Sequence, residues 1–340
     1  MTLDCFASLS SEQLAMQLPL GKWYHYQDAL EEQESLPSDP QGMFSIAFSG
    51  DFSGQQLTRI VQFLAQQQFT VTALCRYQPD PNLTPALCFY TDTAKVGINP
   101  LVLNEFSHPL GFQLVQVSKP PILTKPGLLV MDMDSTAITI ECIDEIARLA
   151  DVYEDVAAVT AQAMAGKLDF SESLHQRVAK LAGIEQNLID ELKNSLPLMS
   201  GIKALCQVLK QHNWYLAIAS GGFVPFAEQV QKQLDLDEVH ANVLEFEDNK
   251  LTGKVLGTIV DAQQKAVVLS QLQQRLNLPM QQTVAIGDGA NDLTMMAAAG
   301  LGVAVHGKPK VVAQAPAAIC QGSLLQLLYL LCIPAVKSEG

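Results

Sequence analysis

At 340 residues the chain has room for about two domains. Its residues are 48% hydrophobic and 16% charged, a globular balance that excludes disordered and collagen-like chains. The net charge of −14 is spread over both halves, with 4 basic against 11 acidic residues in 1–118 and 17 against 24 in 119–340. No basic stripe is left for nucleic acid or an anionic membrane, so an anionic ligand needs a local cation.

In chain order, residues 1–40 are polar and Gln/Glu-rich, with a helix-start signal at Ser10–Glu12, and read as a short helix and a loose N-terminal arm. Met43 to Phe48 reads as a strand. Leu57, Ile60, Val61 and Leu64 recur at helical spacing, and Phe69 to Leu74 reads as the next strand, completing a βαβ unit. Two short apolar runs follow, near residues 86–90 and 112–117. Lys119-Pro120-Pro121 and Lys125-Pro126 bracket a linker, because consecutive prolines cannot join a neighbouring ladder. The boundary falls near residue 120, giving an α+β domain over 41–120 and a second domain over 127–337.

The second domain alternates. Leu128 to Met131 is too short for a helix and reads as a buried strand. Residues 139–210 are mostly helical. Strands follow at 214–219, 283–286 and 301–305, a hairpin lies within 243–260, and a helix spans 262–277. Alternation of this kind implies an α/β fold: a doubly wound, mostly parallel, Rossmann-like sheet with helices on both faces. Leu324 to Ile333 is apolar but only about ten residues long, so it reads as a buried terminal helix, not a membrane span. Seven scattered cysteines without a CxxC, and no signal-peptide pattern at the start, lead us to expect reduced thiols and a cytoplasmic protein.

Ligands of open α/β sheets bind beyond the carboxyl ends of the strands. After 128–131 come Asp132-Met133-Asp134-Ser135-Thr136. After 214–219 come Ser220-Gly221-Gly222, and after 283–286 comes Gly287-Asp288-Gly289-Ala290-Asn291-Asp292. Lys265 lies near the start of a helix. Each of these alone is an ordinary turn, cap or helix face. Together they bring four carboxylates, a hydroxyl and a lysine to one sheet edge. Carboxylates so close are tolerable around a cation or with shifted pKa values. Oxygen ligands suit a hard ion, and Mg²⁺ takes one or two carboxylates plus substrate phosphate. The P-loop, dinucleotide, HExxH and GxSxG patterns are absent.

These four segments resemble the motifs of the haloacid dehalogenase superfamily of phosphatases. Glu141, the stretch from Met164 through Phe170 to Arg177, and Ser220-Gly221-Gly222-Phe223 resemble its phosphoserine phosphatase family in particular. The resemblance covers roughly residues 127–310. The pattern of the first domain resembles, weakly, the ACT-like regulatory domains of some relatives, and a plain packing or dimerisation domain is an equally good reading.

The resemblance implies Mg²⁺-dependent hydrolysis of O-phospho-L-serine, the last step of serine biosynthesis. Asp132 is then the nucleophile and forms an aspartyl-phosphate. Asp134 is the general acid and then base, and Lys265 shields charge and takes a place among the substrate-binding residues. Mg²⁺ would be held by Asp132, by the Asp134 carbonyl and by Asp288, with Asp292 orienting the set. Ser220, Gly221 and Asn291 would hold the phosphate. Glu141 would pair the substrate ammonium and Arg177 would fork to its carboxylate. A helical cap over about 139–200 would close on the site, with Met164 and Phe170 excluding water. Another small phosphomonoester, phosphotransfer to an alcohol, or a catalytically weak serine sensor remain as alternatives. An amino-acid effector at the first domain and a homodimer are left open as partners.

Overall fold

A computed structural model of the chain describes residues 6–26, 30–33, 36, 42–91 and 96–334, apart from the side chains of Leu30, Gln33 and Met164. Two sheets organise it. The first contains β1 (Trp23–Tyr26), β2 (Leu30–Gln33), β3 (Met43–Phe48), β4 (Val71–Tyr77), β5 (Ala86–Thr91) and β6 (Gln113–Val117), in the order β2-β1-β4-β5-β3-β6. All of its pairings are antiparallel. The expected βαβ unit is present in split form: β3 and β4 flank β5, with the helix Gly54–Gln66 crossing between them. With the helix Pro100–Ser107 and β6 this makes a βαββαβ plait. The capping box at Ser53 and Gln56 starts the first of these helices.

The N-terminal arm is a correction. The segment is not loose: the helix Ser11–Gln17 buries Leu14, and β1 pairs with β4 as well as with β2. Leu14, Leu18, Trp23 and Tyr24 are buried and bind this stretch to the plait. Its apolar residues are sparse, so composition alone gave a polar reading.

The second sheet has seven strands: β7 (Leu128–Met131), β8 (Tyr215–Phe223), β9 (Glu238–Glu247), β10 (Lys250–Leu256), β11 (Thr283–Gly287), β12 (Leu301–Val305) and β13 (Ala317–Ile319). Their order is β10-β9-β8-β7-β11-β12-β13, parallel except for the β9–β10 hairpin. The three-residue β13 is too short to carry a pattern, and sequence reading missed it. The central strands are apolar on both faces, as a parallel sheet covered on both sides demands. Leu128, Val130, Ala217 and Ala285 face the helices Ala262–Arg275 and Leu293–Ala298. Leu129, Met131, Leu216 and Ile218 face the helices Ile202–Gln211 and Val224–Leu234.

Four helices (Cys142–Leu149, Tyr153–Met164, Phe170–Ala179 and Gln186–Asn194) form the inserted cap. Its two connections to the core are tied together, Thr139 N–H donating to Pro197 O and Met199 N–H to Ala137 O. The β9–β10 hairpin buttresses its far side. Gly183 N–H donates to Leu251 O at 2.7 Å, and Leu251 N–H to Ile184 O at 2.8 Å.

The two sheets are joined by the chain's last apolar segment, Leu324 to Leu331, which packs against the plait. Tyr329 stacks on Phe48 at 4.6 Å, accepts from the Tyr77 hydroxyl at its carbonyl and donates its own hydroxyl to Thr84 O. The buried Gln113 amide accepts from Cys320 and Gln321 N–H beyond the end of β13 and donates to Gln326 Oε1. The six cysteines among the described residues are free thiols. Among the described residues no helix is long and apolar enough to cross a membrane.

Candidate active site

The carboxyl ends of β7, β8 and β11 meet below the cap around a cavity of about 540 Å³. Asp132 follows β7 directly. Its N–H donates to Ile286 O across the sheet, and its Oδ1 accepts from Met133 N–H at 2.7 Å. Oδ2 meets Lys265 Nζ at 2.9 Å. Lys265 is fully buried and also bonds Asp292 Oδ1 at 2.7 Å. Burial alone would push the Lys265 ammonium down; the charges of Asp132 and Asp292 override it and hold its pKa above the ordinary value. Asp292 is raised by burial and by Asp132, against the pull of Lys265. The sequence reading gave Lys265 a place in substrate binding. The structure puts it behind Asp132, with no surface on the cavity.

Asp288 sits on the other side of Asp132 and accepts from the Thr136 hydroxyl at 3.2 Å. Burial, then the Asp132 charge, raise its carboxyl. Asp292 Oδ2 accepts the Gly289 N–H at 2.9 Å, which folds the turn back on itself. Gly287 is required here, because a Cβ would lie 2.3 Å from the Asp292 carboxyl carbon. Asp132, Asp288 and Asp292 each offer an oxygen, and these atoms lie within 4.8 Å of one another. Three carboxylates facing one ammonium leave excess negative charge, and an all-oxygen set of this size fits a hard divalent cation.

Asp134 also lines the cavity, two residues past the nucleophile position. Its Oδ1 is buried without a hydrogen-bond partner. Burial, then the Glu141 charge, with a further contribution from Asp132, lift its carboxyl well above the ordinary carboxylate value, against bonds from Cys142. Ser135 takes a left-handed conformation (φ 54°) and donates its hydroxyl to Glu141 Oε1 at 2.7 Å, aiming that carboxylate at the cavity. Glu141 keeps solvent access on one edge. Partial burial, then the charges of Asp288, Asp132 and Asp144, raise it, against the Ser135 bond.

From the cap side come Phe170 and Arg177, on the helix Phe170–Ala179. An Asp169–Glu172 capping box starts this helix. Arg177 is half-buried, and its one hydrogen bond among the described residues runs from Nε to Ser173 O at 3.4 Å. Burial lowers its pKa, against the charges of Asp144, Glu141 and Asp134. The Phe170 ring explains Gly221, where a Cβ would meet it at 2.8 Å. Met164 was expected beside it; its side chain lies outside the described residues.

Ser220, Gly221 and Gly222 lie within β8, not beyond its end. There the pairing with β9 breaks: four residues of β8, from Ala219 to Phe223, advance against two of β9. Gly222 N–H donates to Ser220 Oγ at 3.0 Å. Asn291 reaches the cavity from the β11 turn. The site thus gathers Asp132, Asp134, Glu141, Arg177, Phe170, Ser220, Gly221, Asp288 and Asn291 on one cavity, with Lys265 and Asp292 behind it. Sequence reading gave no role to Thr136, Ile143, Thr160 and Leu168. Thr136 stood in the Asp132–Thr136 run, whereas Ile143 and Thr160 are ordinary cap-helix residues and Leu168 lies in the connection between two cap helices, without a signature.

A family model described as haloacid dehalogenase-like hydrolase matches residues 127–300. The phosphoserine phosphatase of Vibrio cholerae serotype O1 is 52% identical over 210 residues, 62% of this chain and 64% of that enzyme, just under two thirds of its length. The phosphoserine phosphatase of Haemophilus influenzae is 48% identical over 227 residues, 67% of this chain and 72% of that enzyme. Among solved structures, an unliganded probable phosphoserine phosphatase from Vibrio cholerae superposes with a TM-score of 0.70 at 39% identity, covering 87% of this chain and 88% of that one.

Proposed function

The chain belongs to the haloacid dehalogenase-like hydrolases, in their phosphoserine phosphatase family, and we propose on that premise that it hydrolyses O-phospho-L-serine to serine and phosphate at the cavity under the cap. One observation carries the substrate assignment. The cavity lined by Asp132, Asp134 and Asp288 is lined as well by Glu141, an acid outside the Asp132–Asp288–Asp292 cluster, and by one half-buried base, Arg177. A phosphomonoester bearing both an ammonium and a carboxylate complements Asp132, Glu141 and Arg177 together.

The residues divide the work. Lys265 holds the Asp132 carboxylate by Oδ2 and fixes its orientation. Asp132 attacks phosphorus in line, its oxygen forming the new bond as the bond to the serine oxygen breaks. Asp134, whose protonated form burial and the Glu141 charge favour, gives its proton to that departing oxygen. It then takes a proton from the water that attacks the aspartyl-phosphate, and phosphate leaves with Asp132 regenerated. Ser220 O–H, Gly221 N–H and the Asn291 amide hold the phosphate oxygens through both steps. Glu141 receives the ammonium, Arg177 the carboxylate, and Phe170 keeps bulk water from the reacting atoms. Asp132 and Asp288, with the Asp134 carbonyl, would hold Mg²⁺, which would supply charge neutralisation for the phosphate. Asp292 positions Lys265 and the Gly289 turn.

We read the protein as an enzyme of serine biosynthesis that works in the cytoplasm. Residues 41–120 are read as an ACT-like domain. Phosphate release from phosphoserine, phosphothreonine and sugar phosphates, with and without Mg²⁺, tests the reading. Phosphoserine is expected to be the best substrate and chelation to abolish turnover. A sugar phosphate turned over faster would overturn it.

A further inference from the structure

We infer that Asn242, on β9, is a positioning residue of the phosphate site, fixing the Ser220-Gly221-Gly222 turn against the segment that leads into the Lys265 helix. The inference deepens the proposed phosphatase reading and rests on it. Asn242 is fully buried. It stands where the β8–β9 ladder resumes, paired with Phe223 after the break that begins beyond Ala219. Within that break the backbone groups of residues 220–222 have lost their regular strand partners. A buried backbone carbonyl without a partner costs free energy.

The Asn242 side chain supplies the missing partner. Its Nδ2 donates to Gly221 O at 2.8 Å. The carbonyl of Gly221 and the N–H of Gly222 belong to one planar peptide, so holding the first orients the second. Gly222 N–H donates to Ser220 Oγ at 3.0 Å. That bond occupies a lone pair of the hydroxyl, leaving its proton free to turn toward the cavity that Ser220 lines. The chain of influence runs from the Asn242 amide through one peptide plane to the hydroxyl proposed to hold phosphate.

The other end of the same amide works on a second element. Asn242 Oδ1 accepts Val260 N–H at 2.9 Å. Val260 precedes Asp261, whose side chain caps the helix Ala262–Arg275 by accepting Gln264 N–H. Lys265 N–H donates to Asp261 O in the first turn of that helix. One buried amide, with donor and acceptor both used, therefore clamps the phosphate turn to the root of the helix that orients Asp132. Few other side chains offer a donor and an acceptor at this span.

The test is the inhibition constant of inorganic phosphate, measured with kcat and KM for phosphoserine at fixed Mg²⁺. Asn242→Asp keeps the volume and the acceptor for Val260 but removes the donor to Gly221. Asn242→Ala removes both. For each variant that keeps the wild-type circular dichroism spectrum, phosphate inhibition is expected to weaken at least about 5-fold. On the same variants kcat/KM is expected to fall about 10- to 100-fold, the scale of a sub-ångström to 1 Å misplacement. Asn242→Asp, the more conservative, supplies the comparison if Asn242→Ala does not fold. Gln282→Ala is the control: that buried amide bonds Ile122, Lys125 and Pro126 backbone far from the cavity, and its loss is expected to lower the melting temperature with an unchanged phosphate constant. A wild-type phosphate constant in a folded Asn242 variant would overturn the inference while leaving the hydrolase reading intact. A wild-type protein inert on phosphoserine would overturn that reading instead.

Discussion

Arg177→Ala is expected to lower kcat/KM for phosphoserine by about 30-fold or more while sparing phosphoethanolamine. The magnitude follows from what surrounds the guanidinium. Among the described residues Arg177 makes no ion pair, and its one hydrogen bond, to Ser173 O, engages Nε. The two terminal nitrogens are left to the cavity. Burial lowers the pKa, so the group sits in a medium where an incoming carboxylate is worth far more than in water. Truncating one partner of a desolvated, hydrogen-bonded charge pair costs about 2–5 kcal/mol. At about 1.4 kcal/mol per decade that is about 30- to several-thousand-fold. The fold is spared, because alanine is the best helix former and Arg177 makes no ion pair within 4 Å among the described residues. The assay is kcat/KM for both compounds at one Mg²⁺ concentration. Phosphoethanolamine keeps the phosphate and ammonium but lacks the carboxylate. Equal losses on the two would show that Arg177 shapes the cap or the phosphate end and would refute its assignment to the substrate carboxylate.

Three further outcomes are expected. Asp134→Asn should lose about 10²–10⁴ of turnover, the usual worth of a general acid. Because the folded-state pKa of Asp134 is raised, wild-type stability falls as pH climbs from about 4, the unfolded value, through the folded one. The non-titrating variant should therefore melt higher than wild type at pH 8 in chelator, with the gap closing toward pH 4, and a lower melting point at pH 8 would contradict the buried, unpartnered Oδ1. Lys265→Met should destabilise by about 3–5 kcal/mol, since it leaves the Asp132 and Asp292 carboxylates without their shared ammonium; denaturant unfolding reads this, and an unchanged midpoint would refute it. Residues 119–340 alone should melt lower than the full chain and bind an apolar dye, because Leu328, Tyr329 and Leu331 lose the plait that covers them; equal melting points would show the two parts to be energetically separate.

Much of the site was legible because its chemistry sits at strand ends, where short apolar runs stop and polar clusters begin. Leu128 to Met131 followed by Asp132, and Thr283 to Gly287 followed by Asp288, locate two edges of the cavity from pattern alone. Glu141 and Arg177 carried no such signal; family resemblance supplied them, and the cavity brings them together. What escaped depends on contacts between distant segments. Asn242 looks like any strand asparagine until the ladder break opposite it is seen. The burial of Lys265 behind Asp132, instead of on the cavity, needs the packing of the Ala262–Arg275 helix against the sheet. The N-terminal strands were hidden for a related reason. Trp23 and Tyr24 stand among polar neighbours, and only pairing with β4 gives them a core to enter.

The central claim is that Asp132 carries the phosphoryl group from phosphoserine to water. Rapid mixing of the enzyme with radiolabelled phosphoserine and Mg²⁺, quenched in acid and digested, measures it directly. The account predicts label on the peptide containing Asp132 in wild type, and neither label nor turnover in a folded Asp132→Asn variant. Steady phosphate release from that variant, with deamidation excluded by mass, or label on another residue, would contradict it.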